Sequence, residues 1–405
     1  MSILFQINVT LNAGSIGRIS EQIGKMALSK GWKSYIAYGR SGQKSESISI
    51  KIGSIVSILY HVIQTRLFDR HGLASVYSTK KLIKTIKIIK PDIIHLHNIH
   101  GYYINYPLLF SFLSKSKIPV VWTMHDCWAL TGHCAFFDYI GCDKWKSLCF
   151  SCPQYKNYPT SLFFDKSTKN YKIKKKSFNS VDNLTIVPVS YWLGDIVKQS
   201  FLKTHSVNVI QNGIDTEVFK PRSDIDIIKN KLKLEGGKII LGVAGVWEER
   251  KGLKYFVKLR ALFPKNISII LIGLNNDQIK KLPHNIIGIN RTENVNELAQ
   301  FYSLADVFVN PTLEDTFPTT NLESLACGTP VVTFATGGSV ESISDSVGLI
   351  AQKGDINDLF MKVNEVLDNG KKKYSENCRV KACLSYNRDK QFLNYLSLYE
   401  KLLKI

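Results

Sequence analysis

The 405-residue sequence contains no run of about 18 apolar residues, which is the length that a helix needs to cross a membrane. It also begins at Met1 without a basic leader or a small-residue cleavage site, so its first residues do not resemble a secretion signal. Low-complexity tracts are absent as well. These absences argue against a membrane-spanning or secreted protein, and they predict a cytoplasmic location.

Acidic residues are scarce in the first half of the chain. Residues 1–210 contain 27 Lys and Arg against 10 Asp and Glu, whereas residues 211–405 contain 26 against 23. A one-sided positive field favours an anionic partner. No nucleic-acid-binding signature is present, so an anionic membrane surface or a phosphate-bearing lipid is the better candidate. The alternative is that these lysines only solvate the surface.

Short apolar segments alternate with longer helical segments throughout the sequence. Segment 3–9 has the composition of a buried strand, segment 16–30 that of a helix and segment 34–38 that of another strand. Such alternation is typical of parallel sheets with helices on both faces, and it predicts doubly wound, Rossmann-like α/β domains. The length predicts two of them. Because open sheets bind ligands beyond the carboxyl ends of their strands, we expect the domains to face each other across a cleft.

A domain boundary is predicted near residues 205–225. Asn212-Gly213 is a turn dipeptide, Pro221 interrupts regular structure, and the charge balance changes in the same region. We therefore expect an N-terminal domain of residues 1–205 and a C-terminal domain of residues 206–374. The remaining helical stretch, residues 375–405, is expected to pack back on the first domain.

Two loops of the first domain follow predicted strands. After the first strand, Gly14 and Gly17 let a ligand approach the backbone at a helix start, although their spacing is not that of a dinucleotide-binding fingerprint. A later strand, Val120–Met124, leads into His125-Asp126. An imidazole donates to a hydroxyl or polarises a sugar oxygen near neutral pH. The alternatives are a tight turn without a ligand and a structural loop histidine.

Five of the eight cysteines lie between residues 127 and 152. In a reducing cytoplasm a metal is favoured over disulfides, and four thiolates can hold a tetrahedral zinc ion. Such a zinc would be structural, because four thiolates leave no open coordination position. The alternative is a loop of unliganded thiols. The candidate ligands are Cys134, Cys142, Cys149 and Cys152.

Basic residues follow the predicted strand 239–244 of the second domain. Gly245 permits a turn, and Arg250 and Lys251 come shortly before a helix start. Lysine supplies a point charge and arginine a planar fork, and both suit diphosphate oxygens. The alternative is a pair of solvated surface cations.

Segment 310–333 carries the densest group of candidate residues. A loop with Glu314 and Asp315 leads to a helix start at Thr319, where free N–H groups favour phosphate. Glu323 lies one turn into this helix, within reach of a ribose. Carboxylates beside an anion site are costly unless they bind hydroxyls, which favours a sugar nucleotide. The alternative is that these acids only stabilise the helix dipole.

In their order and spacing these motifs resemble family 4 glycosyltransferases, the retaining group with the GT-B fold. The resemblance rests on the pattern Pro311-x2-Glu314-Asp315-x7-Glu323, and it is strongest to bacterial enzymes that build capsule, exopolysaccharide or the O-antigen of lipopolysaccharide. Supporting motifs occur along the chain at 14–17, 92–97, 125–126, 212–221, 250–252, 305–309 and 337–341.

The resemblance implies a role for each candidate. Lys251 with Arg250 holds the donor diphosphate, and Glu323 holds the ribose. The first acid of the motif contacts the transferred sugar, His125 lies near the sugar and the acceptor, and the glycine-rich first loop lies near the diphosphate and the acceptor. Charge on the leaving diphosphate is expected to be stabilised by Arg250, Lys251 and the helix N–H groups of Thr319, Thr320 and Asn321.

The sequence departs from the family pattern at two positions. The family spacing places the first acid at Asp315, which is one methylene shorter than a glutamate, and Glu314 lies beside it; the sequence leaves both open. The arginine that usually follows the glycine of the second-domain turn falls at Val246, and Arg250 is the candidate substitute.

These features predict a retaining transferase that moves a hexose from a nucleotide diphosphate sugar to a growing, lipid-linked saccharide in surface polysaccharide biosynthesis. We expect no cofactor for transfer, no nucleic-acid partner, and peripheral association with the inner face of the cytoplasmic membrane. A nucleotide-sugar 2-epimerase and a non-catalytic partner protein of the same fold are the alternatives. The motifs in 212–221 and 315–323 favour transfer.

Overall fold

The computed structural model describes residues 1–234 and 236–404, which form two compact units. The first unit comprises Met1–Gln211 and the residues from Gln391 onward, and the second comprises Asn212–Lys390. The chain therefore leaves the first unit once and returns to it at its end.

Strands and helices alternate over most of the chain. The strands are β1 (Ile3–Asn8), β2 (Lys33–Tyr38), β3 (Ile48–Lys51), β4 (Ile93–Leu96), β5 (Val120–Met124), β6 (Leu184–Pro188), β7 (Ser206–Val207), β8 (Ile239–Val243), β9 (Ser268–Ile272), β10 (Ile286–Ile289), β11 (Val307–Asn310), β12 (Val331–Phe334) and β13 (Gly348–Ala351). The helices are α1 (Gly14–Ser29), α2 (Ile55–Phe68), α3 (Val76–Ile89), α4 (Tyr106–Leu113), α5 (Ser167–Phe178), α6 (Tyr191–Gln199), α7 (Asp226–Lys231), α8 (Leu253–Leu262), α9 (Asn276–Lys280), α10 (Val295–Leu304), α11 (Thr319–Ala326), α12 (Ile356–Asn369), α13 (Lys372–Ser385) and α14 (Arg388–Leu403). Short 3₁₀ helices span Trp128–Leu130, Asp138–Ile140, Lys144–Lys146, Glu249–Lys251 and Gly337–Ser342.

A seven-stranded parallel sheet with the order β3-β2-β1-β4-β5-β6-β7 forms the centre of the first unit. All residues of β4, β5 and β6 are buried, as expected for strands that are covered on both faces. Helix α14 supplies part of this cover. The core that it shares with the sheet includes Leu4, Ile23, Ile93, Val121, Phe392, Tyr395, Leu396 and Tyr399.

The second unit contains a six-stranded parallel sheet with the order β10-β9-β8-β11-β12-β13. In both sheets the chain direction across the sheet reverses beside the unit's first strand, between β1 and β4 and between β8 and β11. This is the doubly wound arrangement, in which ligands bind beyond the carboxyl ends of the strands at the point of reversal.

The doubly wound α/β architecture agrees with the prediction, but the division of the C-terminal stretch does not. The stretch 375–405 is expected to pack back on the first unit; α14 does so, whereas α13 belongs to the second unit and the chain returns only at Gln391. The reason is local packing of α13, in which the Arg379 guanidinium donates to the carbonyl oxygens of Thr216 and Phe219 at 2.9 Å. The first boundary lies at Gln211, a few residues beyond the expected residue 205.

Helix α2 has an unusual distribution of polarity. His61 and Thr65 are its buried residues, whereas five of its apolar side chains are between 51% and 70% exposed. We call this exposed face the α2 surface; it consists of Ile55, Val56, Leu59, Tyr60 and Ile63. In the described part of the chain, no helix combines the length and the apolar composition that crossing a membrane requires.

Candidate functional site

Three loops meet at the carboxyl edge of the second unit's sheet. They follow β8, β11 and β12, which are neighbouring strands. The first contains Arg250 and Lys251, the second Glu314 and Asp315, and the third Gly337. The predicted basic and acidic candidates of the second domain are therefore brought together at the point of strand reversal.

Ion pairs and backbone contacts join the first two loops. The Lys251 ammonium forms a very short contact with the Asp315 carboxylate. Arg250 Nη1 donates to the Glu314 carbonyl oxygen at 3.2 Å, and Arg250 Nε donates to the Glu248 carboxylate at 3.1 Å. At the start of α8, Gly252 has a φ of 78°, and an added Cβ would lie 2.1 Å from the carbonyl oxygen of Pro311. A side chain at Gly252 would therefore push the two loops apart.

The two adjacent acids occupy different environments. The Glu314 side chain is completely buried. Asp315 is half-buried, and its backbone is held by the third loop, since Gly338 N donates to the Asp315 carbonyl oxygen at 3.1 Å. Gly337 has a φ of 51°, and an added Cβ would lie 2.1 Å from that same oxygen. Of the two acids, Asp315 is the one that a ligand can reach beside Lys251.

Helix α11 begins at Thr319, and the preceding Pro318 offers no side-chain cap to its first N–H groups. Thr319 and Thr320 are half-buried at this helix start. Glu323 lies one turn further along, and its carboxylate accepts a hydrogen bond of 3.0 Å from the hydroxyl of the buried Tyr302. Burial and the charge of Glu323 raise the pKa of Tyr302 well above its usual value, so the phenol remains a hydrogen-bond donor.

Asn321 differs from the other predicted residues of this helix, because its side chain is completely buried. Its Oδ1 accepts a hydrogen bond from Asn310 Nδ2 at 2.8 Å, and its Nδ2 donates to Ser339 Oγ at 3.2 Å. Its backbone N–H donates to the Pro318 carbonyl oxygen. These bonds make Asn321 part of the scaffold that holds the start of α11, and its predicted contact with the donor stays a prediction.

The glycine-rich loop of the first unit has two different glycines. Gly14 begins α1 with a φ of 68°, and an added Cβ would meet no atom within 4 Å, so this side of the loop is open. Gly17 is buried, and an added Cβ would lie 2.7 Å from Thr10 Oγ1. Gly14 therefore permits approach to the backbone, as predicted, whereas Gly17 permits close packing inside the unit.

A row of imidazoles follows β4 and β5 at the carboxyl edge of the first sheet. His97 lies between Gln6 and His125, with Nε2 3.0 Å from Gln6 Oε1 and Nδ1 3.4 Å from His125 Nε2. Burial lowers the pKa of His125 to about 4, although the neighbouring Asp126 opposes this shift. His125 is therefore neutral at physiological pH and presents one donor and one acceptor.

The residue next to His125 has partners that the sequence did not reveal. Asp126 lies 2.9 Å from His100 Nε2, and His100 Nδ1 lies 2.9 Å from the hydroxyl of Tyr158. Burial opposes ionisation of Asp126, but the charge and hydrogen bond of His100 outweigh it, so the pKa of Asp126 is lowered. The position of His100 just after β4 is a signal that could have identified it, whereas Tyr158 carries none.

The four predicted metal-ligating cysteines lie together in the first unit. They line one small cavity with His133 and Trp145. Among the described residues, no set of three or more His, Cys, Asp or Glu side chains is arranged as a closed metal-binding group. The thiols nevertheless interact: a hydrogen bond between Cys134 and Cys152 raises the pKa of Cys134 and lowers that of Cys152 to about 7. The cysteines in question are Cys134, Cys142, Cys149 and Cys152.

Comparison with known families accounts for most of the chain. A family model described as "Glycosyltransferase Family 4" matches residues 21–218, and one described as "Glycosyl transferases group 1" matches residues 224–382. The chain belongs to glycosyltransferase family 4. The predicted family, and with it the predicted class of enzyme, are confirmed by these two matches.

Two curated proteins show how this family 4 glycosyltransferase is related to others. It is 32% identical over 169 residues to the putative colanic acid biosynthesis glycosyl transferase WcaC of Escherichia coli K12, a match covering 38% of this chain and 40% of that protein. It is 25% identical over 215 residues to the N,N'-diacetylbacillosaminyl-diphospho-undecaprenol alpha-1,3-N-acetylgalactosaminyltransferase of Campylobacter jejuni, covering 50% and 56% respectively. The matches thus span about half the length of these relatives.

A solved structure shows which fold the family 4 chain adopts. The sucrose-phosphate synthase from Thermosynechococcus elongatus superposes with a TM-score of 0.75 over the whole of both chains, at 17% identity. At this identity the likeness concerns the fold alone. It confirms the predicted GT-B fold of two Rossmann-like domains.

Proposed function

We propose that this chain is a retaining glycosyltransferase that moves a hexose from a nucleotide diphosphate sugar to a growing, lipid-linked saccharide in surface polysaccharide biosynthesis. The observation that carries the proposal is the contact between Lys251 and Asp315 beside the start of α11. A cation, a carboxylate and a helix N-terminus at one sheet edge match the phosphate and hydroxyl groups of a sugar nucleotide. The colanic acid relative supports the assignment to polysaccharide biosynthesis.

The diphosphate is assigned to Lys251, Arg250 and the N–H groups at Thr319 and Thr320. An ammonium has three donors, so Lys251 can keep Asp315 as a partner and still donate to a phosphate oxygen. Arg250 is oriented by its bonds to the Glu314 carbonyl oxygen and the Glu248 carboxylate, and its planar guanidinium has the geometry that suits phosphate oxygens. These positive groups stabilise the charge that develops on the leaving diphosphate, so transfer needs no metal ion.

The two reachable carboxylates are assigned to hydroxyl groups of the donor. Glu323 is oriented by Tyr302 and accepts from the ribose, since one carboxylate can accept several hydrogen bonds. Asp315 is assigned to the hexose, because the neighbouring Glu314 is completely buried. His125 is assigned to the sugar or acceptor hydroxyls as a neutral donor and acceptor, with Gly14 near the acceptor.

The acceptor is proposed to be presented at an anionic membrane surface, on the cytoplasmic side. The α2 surface is apolar, and the exposed segment 162–164 contacts the last turn of the same helix, because Leu162 N donates to the Arg66 carbonyl oxygen at 2.8 Å. Lys166 lies 5.4 Å from the ring centre of Phe164. An exposed apolar face bordered by cations suits the interface of an anionic bilayer. The Campylobacter jejuni relative, whose name includes a diphospho-undecaprenol, supports a lipid-linked acceptor.

The donor assignment is tested by thermal shift with UDP-, GDP- and ADP-sugars, followed by transfer assays with the sugar that binds. One donor class is expected to raise the melting temperature. Lys251→Ala and Glu323→Ala should each lower transfer about tenfold or more. Lys254→Ala is the matched control, because Lys254 is an exposed lysine of the adjacent helix. Unchanged donor binding and transfer in both test variants would exclude the assigned site.

Further outcomes decide between the alternatives. A sugar that is isomerised without any acceptor would identify a 2-epimerase, and donor binding without turnover over a broad acceptor panel would identify a non-catalytic protein. Nuclear magnetic resonance of the product should show retention at the anomeric carbon, and inversion would contradict the mechanism. Transfer should survive a chelator added during the assay.

Membrane association is tested by flotation with vesicles that contain phosphatidylglycerol. Val56→Asp should release the protein from the vesicles, because it places a charge in the α2 surface. Met361→Asp, on an exposed apolar residue of the second unit, is the matched control. Binding that depends neither on salt nor on anionic lipid would contradict this part of the proposal.

A further inference from the structure

The segment between β5 and α5 is held together without regular secondary structure. Residues 125–166, all described, contain three 3₁₀ helices but neither a strand nor an α-helix. Loops of this length are uncommon in compact domains unless a function or a cross-link retains them. The segment nevertheless buries Trp128, Phe137 and Trp145 almost completely. The segment therefore has a buried interior, although no strand or α-helix holds its backbone in place.

Sulfur atoms converge in this interior from separate parts of the segment. Backbone N–H groups point at two of them, since Gly132 donates to the Cys149 sulfur and Gln154 donates to the Cys152 sulfur. Close packing enforces the first contact, because a Cβ added to Gly132 would lie 2.9 Å from the Cβ of Cys149. Such donors favour the thiolate, which is the form in which cysteine binds metals, and at Cys149 they oppose the burial that raises the pKa of the thiol to about 11.

His133 supplies an independent observation at the same cavity. Its Nδ1 lies 2.7 Å from the buried carboxylate of Asp69, so Nδ1 carries the proton and donates to that carboxylate. The lone pair of Nε2, on the other side of the ring, is then not used by Asp69. Nε2 is buried without a hydrogen-bond partner among the described residues. Histidines that bind metals are commonly oriented in this way by a carboxylate.

We propose that this cavity binds one zinc-class metal ion through the thiolates of its four cysteines, next to the buried Nε2 atom of His133. Each thiol releases its proton to solvent on binding, and no oxidant or reductant is required. Because the side chains do not already form a closed ligand group, binding requires that the sulfur atoms rotate inward. Four thiolates leave no open position, so the ion cross-links the segment. The ligands are Cys134, Cys142, Cys149 and Cys152.

The segment begins with His125 and Asp126, so the ion would also fix one end of the proposed acceptor site. Asp126 is bound by His100 and by Trp128 N, and the Trp128 carbonyl oxygen accepts from Lys174 Nζ at 2.6 Å. Lys174 lies on α5, at the far end of the segment. A metal bound by the cysteines of this segment would therefore help to fix the position of His125 and Asp126 relative to α5.

The test is elemental analysis of the full chain, purified without a metal-binding tag from zinc-supplemented cells. About one zinc per chain is expected. Cys149→Ser and Cys152→Ser should lose the metal, whereas Cys383→Ser should retain it, because Cys383 lies on α13 in the second unit. Stoichiometric metal that persists in the Cys149→Ser/Cys152→Ser double variant would overturn the proposal.

Cobalt substitution of the wild-type protein keeps the proposal testable if the variants fail to fold. Sulfur-to-cobalt charge-transfer bands and the visible absorption of tetrahedral cobalt are expected. Wild-type protein that takes up neither zinc nor cobalt in stoichiometric amounts would overturn the proposal, as would a disulfide among the four cysteines in protein handled under reducing conditions. Neither readout depends on transferase activity.

Discussion

The carboxyl edges of the two sheets differ in the charge of the side chains that they carry. In the first unit the edge is formed by buried imidazoles, and burial lowers the pKa of His95 and His97 well below the usual value. In the second unit the edge carries Lys251 and Asp315 in an ion pair. Yet the first part of the sequence has the larger excess of positive charge.

The net charge of a unit therefore does not determine the charge of the side chains at the carboxyl edge of its sheet. The many lysines of the first unit stand mainly on its surface, where their field acts on distant anions, while the imidazoles at its strand ends are neutral. Uncharged imidazoles suit hydroxyl groups, whereas fixed cations and helix N–H groups suit phosphates. The same doubly wound frame therefore produces two kinds of binding edge, according to which residues follow its strands.

The largest expected difference between the units is their response to acid. Burial lowers the pKa of His61 to about 3 and of His125 to about 4, so an unfolded chain with ordinary histidines binds more protons below pH 6.5. Stability from these groups is therefore present above pH 6.5 and is lost as the pH falls towards 4, by about 1 kcal/mol or more per histidine. His284 is the single histidine of the second unit.

Hydrogen exchange measured by mass spectrometry at pH 7 and pH 5, corrected for the intrinsic rates, checks this prediction. Exchange is expected to accelerate in β4 and β5 and to change little in β8 and β11. If hydrogen exchange accelerated equally in both sheets, the two units would not differ in their response to acid.

The next largest effect is expected at the two adjacent acids of the second unit. Asp315→Ala should lower transfer about tenfold or more, equivalent to about 1.4 kcal/mol, with little loss of stability. Glu314→Ala should instead destabilise the unit by about 1–3 kcal/mol, because it empties a completely buried polar position. Urea unfolding and transfer kinetics of both variants check the pair, and the reverse pattern would assign the sugar contact to Glu314.

The smallest effect concerns the hydrogen bonds under the first edge. The Tyr399 hydroxyl lies 2.6 Å from His95 Nδ1, and His95 Nε2 lies 2.8 Å from Thr123 Oγ1. Tyr399→Phe should cost about 1 kcal/mol in urea unfolding, because it removes one buried hydrogen bond without changing shape. Tyr106→Phe is the control, because the buried Tyr106 hydroxyl has no hydrogen-bond partner among the described residues. An unchanged free energy of unfolding would show that the hydrogen bond between Tyr399 and His95 does not stabilise the first unit.

Much of this molecule could be predicted from the sequence, because its fold is determined by hydrophobic periodicity. The candidates after β8 and β11 also come together as expected, since parallel strands end at one edge. The choice between Glu314 and Asp315 depends on which side chain turns inward, and sequence spacing carries no such information. The complete burial of the Asn321 side chain could not be predicted for the same reason.

Other features depend on tertiary contacts that leave no local signal. The division between α13 and α14 follows from what each helix packs against, because both have helical composition. The unusual polarity of helix α2 could not be predicted either, since its apolar residues face solvent and its buried residues are His61 and Thr65. The bond between Tyr302 and Glu323 could not be predicted from the sequence, because the two residues are 21 positions apart and lie on different helices.

The return of the chain at Gln391 has a consequence for evolution and for protein engineering. The second unit is a single uninterrupted stretch, so it can be replaced by the corresponding stretch of a relative as one cassette, residues 212–390. The first unit is assembled from two separate stretches of the sequence, and a fragment that stops at Gln211 would lack Tyr395 and Tyr399 from its core. Exchange of the proposed donor site between relatives is therefore structurally simpler than exchange of the proposed acceptor site.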